Sequence, residues 1–159
     1  MEKKANEFLQ LSDDDTRRVG DLVIRPHRPG FECSLYEDFS LRGIRVHRVE
    51  PGFVSCTFKV PPRLTNNSGK LATGAIANLV DEVGGAVVHV EGLPMNVSVD
   101  MSISFLSTAS LNDELEITAK VLGRKGGYSA TIVHVRNMAT NELIAEGRHS
   151  LFGRHVSKM

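Results

Sequence analysis

Asp81 has the clearest chemical potential of any residue in the sequence, because it is a carboxylate inside an otherwise apolar segment from Ala72 to Val90. Taking a carboxylate out of water costs on the order of several kcal/mol, so one is rarely buried without a partner or a task. A carboxylate shielded by apolar neighbours gains basicity, which suits general-base chemistry. In the alternative interpretation, Asp81 and Glu82 lie beside Asn78 in a solvated stripe on a helix.

Signatures of other chemistries are missing from the sequence. It contains no G-x-S-x-G, G-x-G-x-x-G, Walker A, H-E-x-x-H or C-x-x-C pattern, which disfavours metal and nucleoside-triphosphate chemistry. The histidines lack metal-ligand spacing; they are His27, His47, His89, His134, His149 and His155. Cys33 and Cys56 are too few for a disulfide framework, and Cys56 alternates with Val54 and Phe58 like a small core residue of a strand.

The elements before and around Asp81 form a hairpin followed by a helix. Leu41 to Val49 and Phe53 to Val60 flank the turn Glu50-Pro51-Gly52, which predicts two antiparallel strands. A polar loop over residues 65–70 leads into a helix from Ala72 to Val90. This helix is apolar or small on nearly every face, which is typical of a buried helix that a sheet can approach closely.

Four strands are predicted after the helix. They cover Asn96 to Phe105, Glu114 to Leu122, Tyr128 to Val135 and Leu143 to Phe152. In the first of them Val97, Val99, Met101, Ile103 and Phe105 share one face, and Ser98, Asp100, Ser102 and Ser104 share the other. The order β-β-α-β-β-β-β predicts an α+β fold in which one antiparallel sheet curls around one long central helix.

The composition is that of one folded domain with short extensions. The 159 residues are 41% hydrophobic and 24% charged, outside the range of disordered chains. Nineteen basic residues balance nineteen acidic ones, which disfavours nucleic acid as a partner. We find no apolar run of the ~18 residues that a membrane span needs, and no signal-peptide apolar region. We expect an N-terminal helical or irregular extension (1–40), a main folded domain (41–153) and a flexible tail (154–159).

Four segments, in order and with the right spacings, resemble the hotdog-fold acyl-CoA thioesterases. They are Thr65-Asn66, Leu79-Val80-Asp81, Val97-Ser98-Val99-Asp100-Met101 and Leu143-Ile144-Ala145-Glu146-Gly147-Arg148. The branch that they resemble contains the phenylacetate-pathway and animal thioesterase superfamily member 2 enzymes. The resemblance extends from about Arg45 to Phe152 and implies the hotdog fold.

The resemblance also implies roles for individual residues. Asp81 would act as general base or nucleophile on the thioester. Asn66, before the helix, and Ser98, contributed by the neighbouring subunit, would help to place the water. The backbone amides of Thr73 and Gly74 at the helix start would polarise the carbonyl, because helix N-terminal N–H groups favour a developing oxyanion.

The helix start departs from the branch, which normally has His-Gly-Gly where this chain has Ala72-Thr73-Gly74. The N–H groups survive this change, but Thr73 adds bulk where glycine lets a thioester approach closely. The departure favours a first alternative, a non-catalytic hotdog module that binds acyl-CoA or a partner, whereas the retained aspartate, asparagine and serine favour catalysis. A second alternative is a hotdog dehydratase. Such enzymes usually rely on a histidine near the helix, and none lies between His47 and His89.

Residues for the coenzyme A end of the substrate are fewer. Arg124, Lys125 and Gly126 form a basic glycine loop able to hold phosphates, and Arg148 and His149 are further candidates, although such residues are also common on a solvated surface. Thioester hydrolysis needs no metal and no cofactor, since coenzyme A is part of the substrate. We expect a homodimer or a dimer of dimers, with sites built across the subunit interface.

The last three residues, Ser157-Lys158-Met159, resemble the peroxisomal signal of the Ser-Lys-Leu type. We therefore expect a peroxisomal location, or otherwise a cytoplasmic one. Acyl chain length and the choice between aromatic and aliphatic acyl groups stay open.

Overall fold

The computed structural model describes residues 1–22, 35–90, 92 and 96–153. The chain divides into two compact units, Met1–Phe39 and Ser40–Met159. The expected peroxisomal tripeptide and Cys33 lie outside the described residues. No helix among the residues described is both long and apolar enough to cross a bilayer.

The N-terminal extension, which the sequence predicted to be helical or irregular, contains helices. Helix α1 spans Glu2–Leu9 and helix α2 spans Asp13–Gly20, and no residue of either is buried. Helix α3 spans Leu35–Leu41. The predicted strand from Leu41 is therefore wrong at its start. Gly43 adopts a φ of 105° and Ile44 donates its N–H to the Leu41 carbonyl at 2.9 Å, so the chain turns before the strand begins.

The second unit is built on one six-stranded antiparallel sheet and one long helix. Its strands are β1 (Arg45–Glu50), β2 (Phe53–Lys59), β3 (Val97–Phe105), β4 (Glu114–Lys125), β5 (Tyr128–Asn137) and β6 (Leu143–Phe152). A short 3₁₀ helix covers Pro62–Leu64, and helix α4 covers Thr73–His89. The strand order is β1-β2-β4-β5-β6-β3, so β3 crosses to the far edge of the sheet after the helix. The predicted element order and the α+β class are confirmed.

The core lies between α4 and the inner face of the sheet. It includes Phe58, Leu79, Val87, Leu115, Ile117, Val133 and Ile144, each no more than 1% exposed. Burying a side chain of this size contributes roughly 1.5–3 kcal/mol. Cys56 is 2% exposed, which confirms it as a core residue, and burial raises the pKa of its thiol to about 11.

Helix α4 and the sheet approach each other closely at two glycines. A Cβ on Gly147 in β6 would overlap the Val80 side chain, and a Cβ on Gly84 would lie 2.8 Å from the His149 ring. The predicted close approach is thus observed. The prediction of a buried helix holds for one side of α4 but not for its start or for the flank of Asp81 in the single chain. Thr73 and Gly74 are exposed, and Asp81 and Gly85 are only partly buried.

Candidate active site

Helix α4 presents Asp81 near its middle, on the flank that faces β3 and β6. The side chain is 36% exposed, so the carboxylate is neither sealed in the core nor free in solvent. Three of the residues one turn away are small, since Ala77 carries only a methyl group and Gly84 and Gly85 carry no side chain. Asn78 is buried, which does not fit the alternative of a solvated stripe shared with Asp81.

A β-bulge in β3 aims Ser98 at Asp81. The pairing of β3 with β6 shifts between Ser98 and Asp100, so Ser98 pairs with Leu151 on the helix side of the sheet. The predicted alternation placed Ser98 on the opposite face, with Asp100, and is wrong there because the extra residue at Val99 reverses the phase. Ser98 Oγ donates a hydrogen bond to Asp81 Oδ1 at 2.7 Å.

This hydrogen bond forms within one chain. The resemblance implied a serine contributed by the neighbouring subunit, whereas the structure brings Ser98 to the aspartate of its own chain. Asp81 and Ser98 are therefore a pair within a single subunit.

Strand β6 adds a third residue, His149, to this pair. The ring is 1% exposed, and its Nε2 lies 2.9 Å from Ser98 Oγ and 3.2 Å from Asp81 Oδ1. Burial lowers the pKa of His149, and the charge of Asp81 opposes that shift in part. Burial therefore favours the neutral form of the His149 ring. We call Asp81, Ser98 and His149 the carboxylate cluster.

Sequence reasoning proposed His149 for coenzyme A and missed its place beside Asp81. Along β6 the residues Ala145, Gly147, His149 and Leu151 are all buried, whereas Arg148 is exposed on the other face. The period of two in the strand therefore carried the signal, because His149 is in phase with the core residues.

The start of α4 provides two unpaired backbone N–H groups. Ala72 is the N-cap, and its carbonyl accepts the N–H groups of Ala75 and Ile76 at 3.0 and 3.2 Å. Among the described residues, the N–H groups of Thr73 and Gly74 have no acceptor. Both residues are exposed, so these N–H groups can bind an anion or a developing oxyanion.

Asn66 lies in the loop that leads into α4. Its Oδ1 accepts the N–H groups of Ser68 and Lys70, each at 3.0 Å, and the loop closes where Ala72 donates its N–H to Leu64 at 2.9 Å. The carboxamide oxygen therefore stabilises the loop, and the exposed side chain keeps its Nδ2 donors for a ligand. Within the chain described, Asn66 makes no hydrogen bond to Asp81 or Ser98.

Three of the basic candidates, Arg124, Lys125 and Arg148, lie on the surface, whereas His149 is buried in the carboxylate cluster. Arg124 and Lys125 end β4 at an exposed hairpin, where Gly126 turns the chain with a φ of 59°. Arg148 is exposed and pairs with the Glu146 carboxylate at 3.8 Å. Because Arg148 and His149 are consecutive strand residues on opposite faces, one chain does not bring them to a shared phosphate site.

Within the described ranges, no group of three or more histidine, cysteine, aspartate or glutamate residues is placed to hold a metal ion.

Structural comparison defines the class of fold. Zebrafish thioesterase superfamily member 2 superposes with a TM-score of 0.69 at 35% identity, over 80% of this chain and 89% of that chain. The E. coli PaaI protein from the phenylacetic acid degradation operon superposes with a TM-score of 0.66 at 21% identity, over 71% and 80% of the two chains, and supports the fold alone. The second unit is a hotdog fold, as predicted.

Sequence comparison defines the family. The thioesterase superfamily profile matches residues 69–142. Acyl-coenzyme A thioesterase 13 of Homo sapiens is 42% identical over 101 residues, which cover 63% of this chain and 72% of that protein. The Mus musculus relative of the same name is 34% identical over 123 residues, which cover 77% of this chain and 84% of that protein. The chain belongs to the thioesterase superfamily, a family of thioester hydrolases, which confirms the resemblance.

Proposed function

We propose that the protein hydrolyses acyl-CoA thioesters to a carboxylic acid and coenzyme A. The observation that carries the proposal is the half-exposed Asp81 carboxylate, whose Oδ1 is held by Ser98 and His149. Among the described residues, Asp81 Oδ2 has no hydrogen-bond partner, so this oxygen is available to a water molecule. The names of the Homo sapiens and Mus musculus relatives supply the substrate class.

In the proposed reaction Asp81 acts as the general base. Its Oδ2 takes a proton from water as the water oxygen bonds to the thioester carbon. The carbonyl oxygen becomes an oxyanion, which the free N–H groups of Thr73 and Gly74 stabilise, and Asn66 Nδ2 is a further donor. The carbon–sulfur bond then breaks, the thiolate of coenzyme A leaves, and the thiolate takes up a proton. Direct attack by Asp81 on the carbon is the covalent variant of the same step.

The two parts of this machinery are too far apart in one chain to act on one carbonyl. Gly74 and Asp81 are seven residues apart, which is about 10 Å of helix axis at ~1.5 Å per residue. A reacting carbon must lie about 3 Å from both the nucleophile and the oxyanion donors, so a base and donors that are two helical turns apart fit one carbonyl poorly. We infer that Thr73, Gly74 and Asn66 of one subunit face the carboxylate cluster of a second subunit.

The exposed edge of the sheet supports such a pair. β3 is an edge strand of the sheet that the described residues form, and its outer backbone groups have no strand partner there. It exposes the apolar side chains of Val97, Val99, Met101 and Phe105. A two-fold axis next to this strand would cover the edge and set two α4 helices antiparallel. We therefore propose a homodimer, alone or as half of a dimer of dimers. Arg124, Lys125 and Arg148 are proposed contacts for the phosphates of coenzyme A.

A complementation experiment tests the shared site. Asp81→Asn and Gly74→Val should each abolish activity. If the variants are mixed by co-expression, half of the dimers are mixed and each contains one intact site, so about a quarter of wild-type activity should return. No recovery, with mixed dimers verified by mass spectrometry, would contradict a site built from two subunits.

The second candidate function is a non-catalytic acyl-CoA-binding module. It is favoured by Ala72-Thr73, because Thr73 is exposed at the helix start and adds a branched side chain beside the amides that a thioester must reach. Incubation with a panel of acyl-CoAs separates the two functions. Hydrolysis releases a thiol, whereas a binding module would show affinity by calorimetry and release none.

A further inference from the structure

His149 contacts both Asp81 and Ser98, and the proposed reaction gives it no role of its own. The side chain is sealed from solvent, with an exposed fraction of 1%. Nε2 approaches Ser98 Oγ at 2.9 Å and Asp81 Oδ1 at 3.2 Å. In the described part of the chain, Nδ1 is buried and has no hydrogen-bond partner. A buried polar ring with this pattern needs a physical explanation.

The contacts determine which ring nitrogen carries the proton. The Ser98 hydroxyl already donates its hydrogen to Asp81, so Ser98 Oγ and Asp81 Oδ1 can only accept from His149. Nε2 must therefore carry the hydrogen. In a neutral ring Nδ1 then carries no hydrogen and is an acceptor. In an imidazolium Nδ1 would carry a hydrogen, and this buried N–H group would have no acceptor. His149 is a neutral N–H donor that one carboxylate oxygen and one hydroxyl share.

Gly84 makes room for the ring at this place. A Cβ on Gly84 would lie 2.8 Å from His149 Nδ1 and 3.2 Å from Thr131 Oγ1. A contact under about 3 Å between a Cβ and a ring atom is repulsive, so any side chain on residue 84 would push the ring or the helix away. The position of the His149 ring thus depends on the glycine, although Gly84 makes no hydrogen bond to Ser98 or to the Asp81 side chain.

We propose that His149 is a positioning residue that donates its Nε2–H to Asp81 Oδ1 and Ser98 Oγ, and that Gly84 admits its ring to this position. The proposal rests on the proposed function. Holding Oδ1 from two sides leaves Oδ2 as the oxygen that faces water. A base that is already oriented needs less activation free energy to reach the reactive geometry. A misplacement of about 1 Å can lower the rate about 100-fold.

The first test compares two replacements of similar length. His149→Gln keeps an N–H donor near the position of Nε2, whereas His149→Met keeps the length but has no donor. We expect the Gln variant to retain kcat within about 5-fold and the Met variant to lose roughly 10- to 100-fold in kcat with little change in KM. His134→Gln and His134→Met are the matched controls, because His134 is a half-buried histidine that contacts a different carboxylate, Glu146, at 3.3 Å.

The second test uses Gly84. Gly84→Ala should lower kcat about 10-fold in the wild-type background and less than about 2-fold in a His149→Ala background, where the ring is absent. If the Met variant does not fold, two measurements still test the proposal: this double-mutant cycle, and the protonation of the His149 ring in the wild-type protein. ¹⁵N NMR of the wild-type protein should show a neutral His149 protonated on Nε2 at pH 7.

The outcomes separate this proposal from the proposed function. Hydrolysis by the wild-type protein with equal kcat for the Gln and Met variants would overturn the positioning role alone, as would a ring protonated on Nδ1. Additive effects of Gly84→Ala and His149→Ala would overturn the link between these two residues. A wild-type protein without activity on any acyl-CoA would overturn both proposals.

Discussion

Replacement of Ser98 by alanine removes one hydrogen bond from Asp81 and disturbs little else. The Ser98 side chain is on an exposed edge strand, and among the described residues its hydroxyl bonds only Asp81 and His149. Alanine fits any strand position that serine occupies, so the bulge and the sheet should persist. The variant therefore isolates the contribution of one donor to the orientation of the base.

The size of the effect follows from the geometry. An O–H donor 2.7 Å from a carboxylate oxygen makes a charge-assisted bond, and such bonds contribute roughly 1.5–3 kcal/mol. Asp81 is 36% exposed, so water can replace part of this interaction and the lower end applies. About 1.4 kcal/mol corresponds to 10-fold in rate, so we expect kcat to fall about 10-fold. The melting temperature should fall by no more than a few degrees, because one hydrogen bond of this size is lost from the folded state.

The assay is steady-state thiol release from the best acyl-CoA, with Ser102→Ala as the matched control. Ser102 lies in the same strand, is exposed, and pairs with Arg148 on the outer face. The control should keep wild-type kcat. An unchanged kcat for Ser98→Ala would refute the inference that Ser98 orients the base. A loss as large as that of Asp81→Asn would show that Ser98 takes part in the chemical step itself.

Three further predictions concern packing, pH and the loop before α4. Gly147→Ala should lower the free energy of unfolding by roughly 1–3 kcal/mol in urea, because its Cβ would overlap Val80, whereas Gly123→Ala, which has open space, should change it little. Because the pKa of His149 is lowered in the folded chain, the unfolded chain binds more protons than the folded chain below pH ~6.5. The melting temperature should therefore fall as the pH drops below that value, and His149→Gln should weaken this pH dependence. Asn66→Asp keeps the oxygen that holds the loop but loses the Nδ2 donors, so kcat should fall while the melting temperature stays near wild type, and an unchanged kcat would remove Asn66 from the site.

Much of the fold could be predicted because strong local patterns coincide with the elements. The apolar segment from Ala72 to Val90 differs from the observed α4 only by its two capping residues. The predicted strand from Leu143 to Phe152 agrees with β6 at both ends, since turn residues precede it. Helix α3 was not predicted, because its seven residues, ending at Leu41, are too few to show a clear helical period.

The candidate site could be predicted by residue type but not by arrangement. Asp81 was evident as a charge in an apolar helix. The bulge that turns Ser98 inward leaves no trace in the sequence, because the alternation of apolar and polar residues in β3 continues through Val99 without a break. The place of His149 beside Asp81 could be predicted only by knowing which face of β6 meets the helix. Only the phase of its buried neighbours Gly147 and Leu151 supplies that knowledge.

The most direct test of the account is thiol release by purified protein from acyl-CoAs of different chain length and ring content, with Asp81→Asn measured beside the wild type. The amide is nearly isosteric with the carboxylate but takes up no proton, so we expect wild-type hydrolysis and a loss of roughly 100- to 10,000-fold in kcat for the variant. The variant should keep the wild-type melting temperature to within a few degrees. Turnover by Asp81→Asn within about 3-fold of wild type would contradict the central claim that this carboxylate is the base.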